Sequence, residues 1–231
     1  MSALACEGPR ALVAEALLAV IIGPPAGPEI AREVLHRFPE PAQLRRASFD
    51  DLARVPGLDP SRAAALEAAI ELGRRALRRP WPRGKRLRSS REVYRALAPR
   101  LRDLRREVFH VVLLDGRNRK MGEVQVSEGS LSASIVHPRE VFLPAIRASA
   151  AAILVVHNHP SGDARPSPED REVTWRLRRA GHLLGIRLLD HVIIGDTTYY
   201  SFADEGTMAE TPAEEVAAGG SGYGLDRPKS R

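Results

Sequence analysis

An apolar run that ends in two histidines restricts the possible folds of this chain more than any other segment. Residues 151–156 are all apolar, and His157, Asn158 and His159 follow directly. Short apolar runs rich in branched residues are typical of buried β-strands. Because successive side chains of a strand point to opposite faces, a strand here would place both imidazoles on the same face. The segment therefore predicts a sheet in which one strand ends in a pair of histidines.

A carboxylate that lies later in the chain could complete a metal site at these histidines. Asp170 would come close to them if the chain reverses at residues 160–162 and the next helix returns toward the strand. Two neutral imidazoles, a carboxylate and an open fourth position make up a catalytic zinc site, in which a bound water has its pKa lowered toward about 7. The alternative is a simple helix start, because Ser167, Pro168 and Asp170 also fit the N-cap, N1 and N3 positions of a capping box.

The order of these residues resembles the JAMM (MPN-plus) zinc metalloprotease motif. In this sequence His-x-His is followed by seven residues, a serine, two residues and an aspartate. The longer string HNHPSGD, then PSPED, then Thr174 and the Leu-Asp-His of residues 189–191, is similar to the RadC family. The resemblance extends over about residues 12–206. It implies a JAB/MPN-like mixed-sheet domain flanked by helices, preceded by a small helical domain.

The resemblance also implies which residues form the site: Glu107, His157, His159, Ser167 and Asp170. The two histidines and the aspartate would hold one zinc ion per chain. The glutamate, directly before an apolar strand, would act as general base and proton shuttle. The serine would hold the substrate carbonyl or stabilise its developing oxyanion. Glu123 and Glu140 are rival candidates for the base.

Other polar residues near these positions receive structural interpretations. Asn158 would point to the face opposite the two histidines and is interpreted as structural. His191 follows Asp190 and is interpreted as part of a core pair, with a place behind the metal ligands as the alternative. His110 has the opposite strand parity to Glu107 and is interpreted as a packing residue.

Strand and helix patterns alternate in the second half of the chain and predict an α/β (α+β) fold. Period-two or apolar runs predict strands at 108–114, 123–127, 153–157, 186–194 and 197–202. Helical spacing predicts helices at 138–149 and 168–184, and only short helices before residue 77. The expected division is a helical domain at 1–79, a basic Pro/Arg linker at 80–90, a JAB/MPN domain at 91–205 and a disordered tail at 206–231.

Positive charge is concentrated between the two expected domains. Residues 74–106 contain 14 Lys and Arg against two acidic residues, a local balance of +12 in a chain of net charge +6. Such a segment favours non-specific contact with nucleic acid, and its alternative is a solvated linker. A second feature, the turn at Gly57, resembles the turn of a helix-hairpin-helix DNA-binding motif. Asp59 replaces the second glycine of that turn, which favours a helical packing module.

Cysteine content and hydropathy predict the compartment. Cys6 is the single cysteine, so neither a disulfide framework nor a thiolate metal site is expected. No apolar stretch approaches the roughly 20 residues that span a bilayer, and the first residues lack the pattern of a signal peptide. These observations predict a cytoplasmic protein without a membrane partner.

The combined features favour one function and leave two alternatives. The favoured function is a zinc-dependent metallohydrolase, a metallopeptidase or isopeptidase that cleaves a peptide or isopeptide bond without a covalent intermediate. One alternative is a DNA repair or recombination accessory protein that binds nucleic acid through its basic segment. The other is a metal-binding scaffold without turnover. The sequence predicts neither the natural substrate nor the oligomeric state.

Overall fold

The computed structural model describes residues 12–77, 81–129 and 136–209 of the chain, and these form two compact units. The first unit comprises Met1–Pro80 and Arg95–Arg105, and the second comprises Trp81–Tyr94 and Arg106–Arg231. The predicted domain limits stay a prediction. Most of the predicted tail, 210–231, lies outside the described residues, and a short 3₁₀ helix, Thr207–Ala209, precedes it. No helix in the described ranges is both long and apolar enough to cross a membrane.

The described part of the first unit is helical, and one of its helices, with 18 residues, is longer than the short helices that the sequence predicts. The helices are α1 (Ala14–Ile22), α2 (Gly27–Arg37), α3 (Pro41–Arg46), α4 (Phe49–Leu52) and α5 (Pro60–Leu77). Their buried faces form one apolar core that includes Leu18, Val34 and Leu66. Asp59 caps α5, because its Oδ1 accepts the Arg62 amide at 2.9 Å, which gives this residue a local structural role.

The second unit is built on a five-stranded mixed sheet, which confirms the predicted fold class. The strands are β1 (Val108–Leu114), β2 (Lys120–Glu128), β3 (Ala152–Asn158), β4 (Arg187–Ile194) and β5 (Tyr199–Ser201), in the order β2-β1-β3-β4-β5. Only β3 and β4 are parallel. The helices are α6 (Ser90–Leu101), which the unit boundary divides, α7 (Pro138–Arg147) and α8 (Pro168–Leu184).

Helix α8 connects the two parallel strands, and this connection positions the candidate site. Parallel neighbours require a crossover, which here is the loop after β3 followed by α8. Val173 and Leu177 on α8 pack with Phe109 and Val155 of the sheet in a buried apolar cluster. The cluster holds the first turn of α8 beside the carboxyl end of β3, where open α/β sheets commonly carry their sites.

Part of the segment predicted as a linker is paired with the sheet. The Gly84 amide donates to the Lys120 carbonyl at 2.7 Å, and the Leu87 amide donates to the Asn118 carbonyl at 2.8 Å. Arg86 and Arg119 form an antiparallel bridge. Residues 84–87 therefore run alongside the turn between β1 and β2.

Candidate metal centre

The two histidines lie at the carboxyl end of β3. His157 is fully buried in the strand, and His159 follows the strand end, where its amide still donates to the Ile194 carbonyl of β4 at 2.9 Å. Their Nε2 atoms are 2.9 Å apart. The Nδ1 atom of His159 is 2.7 Å from the Asp163 carbonyl oxygen. A carbonyl only accepts, so Nδ1 carries a proton, and in the neutral ring Nε2 keeps a lone pair.

Asp170 reaches both imidazoles from the first turn of α8. Its Oδ1 lies 3.0 Å from Nε2 of His157, and its Oδ2 lies 3.3 Å from Nε2 of His159. One donor atom from each of the three residues lies within 4.8 Å of the others. Two imidazoles and a carboxylate are the donors that zinc accepts, and three protein ligands leave a fourth position open. The three residues form a group that could hold a metal ion.

The capping box at the start of α8 fixes the Asp170 carboxylate. The amide and the hydroxyl of Ser167 both donate to Asp170 Oδ2 at 2.7 Å, and the Asp170 amide donates back to Ser167 Oγ at 3.1 Å. The helix-start interpretation and the metal-ligand interpretation therefore describe the same aspartate. Since the Ser167 hydroxyl proton points at Asp170, its contact with a substrate oxygen stays a prediction.

The electrostatics of the group favour an ionised carboxylate. Burial opposes the charge of Asp170, but the contacts with the imidazoles of His157 and His159 outweigh it and hold the pKa of Asp170 well below its usual range. Burial would also lower the pKa of His159, but its hydrogen bonds to Asp170 and to the Asp163 carbonyl raise that pKa above the ordinary value. The protonated imidazole and a metal cation would thus compete for the same carboxylate.

Glu107 lies directly before β1, next to this group. In the antiparallel register Phe109 pairs with His157, and continuing that register by two residues brings Glu107 opposite His159. The negative charge of Glu107 contributes to the raised pKa of His159. The glutamate is not one of the three converging donors. Its role as a general base stays a prediction.

Asn158 clamps the backbone on both sides of Glu107. Its Oδ1 accepts the Val108 amide at 2.9 Å, and its Nδ2 donates to the Arg106 carbonyl at 3.1 Å. The side chain is fully buried. The predicted structural role of this asparagine is therefore to hold the peptide that carries Glu107 against the end of β3.

The two rival glutamates are engaged elsewhere. Glu123 pairs across the strands with Val112, on the face of the sheet opposite Phe109 and His157. Its carboxylate contacts Lys120 Nζ at 2.9 Å and His110 Nδ1 at 3.1 Å. His110 is therefore a buried partner of a carboxylate rather than a simple packing residue. Glu140, in the first turn of α7, forms an ion pair with Arg139 at 3.0 Å.

Two residues behind the group contact its ligands. Nδ1 of His157 lies 2.8 Å from Nε2 of His191, and Nδ1 of His191 lies 2.6 Å from Thr174 Oγ1. The contacts of the His191 imidazole are with His157 and Thr174, whereas the Asp190 carboxylate accepts the Ser201 hydroxyl, the Ala203 amide and the His191 backbone amide. Helical spacing could have identified Thr174 from the sequence. It follows Asp170 by four residues, and residues four apart lie on the same face of a helix.

Comparisons with known proteins agree with this architecture. The model of the family described as RadC-like JAB domain matches residues 87–207. A UPF0758 protein of Syntrophotalea carbinolica is 50% identical over 177 residues, which cover 77% of this chain and 78% of the relative. A UPF0758 protein of Geotalea uraniireducens is 47% identical over 87% of this chain and 91% of its own length. A UPF0758 protein of Staphylococcus haemolyticus is 41% identical over 87% of this chain and 90% of its own length.

These matches confirm the predicted resemblance over both the sheet unit and most of the helical unit. The family match begins near the paired segment at 84–87 and ends in the 3₁₀ helix after β5, so it includes all of the converging donors. The chain belongs to the RadC family of proteins with a RadC-like JAB domain.

Proposed function

We propose that this protein is a zinc-dependent hydrolase of the JAMM type that cleaves peptide or isopeptide bonds. The observation that carries the proposal is the convergence of His157, His159 and Asp170 beside Glu107 at one end of the sheet. His157 Nε2, His159 Nε2 and a carboxylate oxygen of Asp170 would hold the ion. Zinc at this position supplies Lewis acidity and lowers the pKa of a coordinated water toward about 7.

The proton transfers of the reaction are assigned to Glu107. As water attacks the substrate carbonyl carbon, the Glu107 carboxylate accepts a proton from that water. It then returns the proton to the nitrogen that leaves, so the C–O bond forms and the C–N bond breaks without a net change of proton on the enzyme. The clamp of Asn158 on the flanking backbone supports this assignment, because a base must be held within hydrogen-bond reach of the proton that it moves.

Metal analysis tests the ion and a matched pair of glutamine variants tests the base. The purified wild-type protein should contain one zinc per chain, and the double variant His157→Ala/His159→Ala should contain none. Glu107→Gln should keep zinc and lose at least about 100-fold in cleavage of any substrate found in a peptide-library screen. Glu140→Gln is the matched control and should keep both. Loss of zinc in Glu107→Gln would make Glu107 a ligand, and an unchanged rate would assign the base elsewhere.

A cluster of cations in the second unit favours a second function, the binding of a nucleic-acid backbone. The pairing of residues 84–87 with the β1–β2 turn brings two basic segments together, and we name their exposed cations the hairpin patch: Arg83, Lys85, Arg86, Arg88 and Arg117. Among the described residues, none of these five has an acidic partner within 4.0 Å. Asp115, the acid in this turn, pairs with Arg119. Unpaired exposed cations attract phosphates and release counterions.

The hairpin patch and the metal group lie at opposite ends of β1. The seven residues of this strand span about 23 Å, at roughly 3.3 Å per residue. Nucleic acid bound at the patch would therefore leave the metal group accessible. The accessory-protein function thus adds to the hydrolase function without requiring the same residues.

Salt-dependent titration with duplex DNA tests the hairpin patch. Alanine at Arg83, Lys85, Arg86 and Arg88 should reduce both the affinity and the slope of log K against log salt, which grows by about 0.9 per neutralised phosphate. The control removes the same charge from four exposed arginines outside the basic segment 74–106: Arg32, Arg37, Arg54 and Arg139. It should keep the wild-type slope. Equal slopes for both variants, or no binding by the wild type at low salt, would remove this second function.

A further inference from the structure

A circuit of hydrogen bonds connects two of the candidate metal ligands through the protein interior. His157 Nδ1 contacts His191 Nε2 at 2.8 Å, His191 Nδ1 contacts Thr174 Oγ1 at 2.6 Å, and Thr174 Oγ1 donates to the Asp170 carbonyl oxygen at 2.6 Å. The circuit joins β3, β4 and α8, and its four members are buried. Its two ends meet at the candidate metal group, where Asp170 Oδ1 lies 3.0 Å from His157 Nε2.

One assignment of donors and acceptors gives every contact of this circuit a proton to share. A backbone carbonyl is solely an acceptor, so the Thr174 hydroxyl is the donor in its contact with Asp170 O. The Thr174 oxygen is then the acceptor for the Nδ1 proton of His191. A neutral His191 with its proton on Nδ1 has a lone pair on Nε2, which accepts the proton from Nδ1 of His157. The Nε2 atom of His157, which faces Asp170, consequently keeps a lone pair for a metal.

The protein interior keeps His191 neutral and fixes the plane of its ring. The His191 imidazole is fully buried between two aromatic rings, and such an apolar environment disfavours a charged ring. Phe202 stacks on the imidazole with ring centroids 5.1 Å apart and planes at 9°, and Phe109 contacts it edge-on at 5.5 Å. Phe109 also stacks on the His157 ring at 5.8 Å. Neither imidazole can turn over without displacing a buried aromatic ring.

We infer that Thr174 and His191 are positioning residues that set the tautomer of His157, so that its Nε2 presents a lone pair to the metal. The inference rests on the proposed metal centre and adds the groups that orient one of its ligands. Metal-bound histidines commonly donate their other ring proton to a carbonyl or carboxylate. In this chain the proton of His157 goes to a neutral histidine, and that histidine donates in turn to a threonine. The threonine hydroxyl donates to a backbone carbonyl that belongs to another ligand, Asp170.

Two matched substitutions at Thr174 separate the hydroxyl from the shape of the side chain. Thr174→Val keeps the branched shape but removes the acceptor for the Nδ1 proton of His191. The donor and acceptor roles can then reverse, so that the His157 proton moves from Nδ1 to Nε2, which faces Asp170. Thr174→Ser keeps the hydroxyl. Competition of the metal-free proteins with a chromophoric chelator should show a zinc affinity about 10- to 100-fold weaker for Thr174→Val and close to wild type for Thr174→Ser. Urea unfolding in the presence of EDTA measures any general loss of stability separately.

The imidazole protons provide a readout that does not depend on zinc. Long-range ¹H–¹⁵N correlation spectra of the metal-free wild type and of Thr174→Ser should show a proton on Nδ1 of His157, and Thr174→Val should lose it. A bare Nδ1 in the wild type, or a wild-type zinc affinity in Thr174→Val, would overturn the inference. A wild-type protein that shows the Nδ1 proton but binds no zinc would instead overturn the proposed metal centre and leave the hydrogen-bond circuit standing.

Discussion

Replacing Asn158 with leucine should destabilise the second unit by about 1–3 kcal/mol. The substitution keeps the side-chain size but removes both bonds of the clamp, to the Val108 amide at 2.9 Å and to the Arg106 carbonyl at 3.1 Å. Val108 is 4% exposed, so its amide would lose its partner in a dry environment, which costs about 1–3 kcal/mol. The partly buried carbonyl adds about 1 kcal/mol, and the apolar leucine offsets some of the total.

Urea unfolding in the presence of EDTA measures this loss without a contribution from bound metal. The midpoint should fall while the m-value stays unchanged, because the surface exposed on unfolding is the same. Asn158→Asp is the comparison variant, since its carboxylate still accepts the Val108 amide but repels the Arg106 carbonyl. Hydrogen exchange should show that the Val108 amide loses protection in the leucine variant.

The result that would refute this reasoning is a leucine variant within about 0.5 kcal/mol of the wild type that keeps a protected Val108 amide. Such a protein would show that the strand before β1 finds other partners, so that Asn158 does not hold Glu107 in place. A loss of stability with normal zinc binding would agree with a clamp that acts on the base and not on the ligands.

Three further substitutions test other features of the second unit. A Cβ on Gly195 would lie 2.5 Å from the Gly162 carbonyl oxygen, in the turn that orients His159. The alanine variant should therefore lose about 1–3 kcal/mol of stability in urea unfolding and bind zinc more weakly in a chelator titration. Burial raises the pKa of Asp190 to about 6 from 3.8, so its stabilising contribution is complete below pH 4 and is lost as the pH rises through 6. Asp190→Asn should therefore gain about 2 kcal/mol relative to the wild type between pH 4 and 7, and a constant difference in unfolding free energy across that range would contradict this. Asn118 has a φ of 57°, which glycine adopts more easily than alanine. Its alanine variant should therefore be about 1 kcal/mol less stable than its glycine variant in thermal unfolding, and equal stability would show that the turn relaxes.

Local pattern was sufficient to predict the main elements of the second unit. The apolar run predicted β1 at 108–114, and the serine-proline start with helical spacing predicted α8 at 168–184, the same bounds that the structure has. These elements depend on periodicity and capping, which act between residues a few positions apart. Strand β2 begins at Lys120, before the predicted 123, because Lys120 and Gly122 already pair with Leu114 and Leu113 of β1 although they are not part of an apolar run.

Tertiary structure decided the contacts that make these elements a site. Strand parity alone was sufficient to predict that His157 and His159 share one face. The parallel pairing of β3 with β4 brings His191 behind them. The crossover brings the first turn of α8, and with it Asp170, next to both histidines. No periodic pattern records which strand will lie next to β3 or where a crossover helix will start in space. Those positions follow from burial of the whole sheet face, which involves residues far apart in the chain and has no local signature.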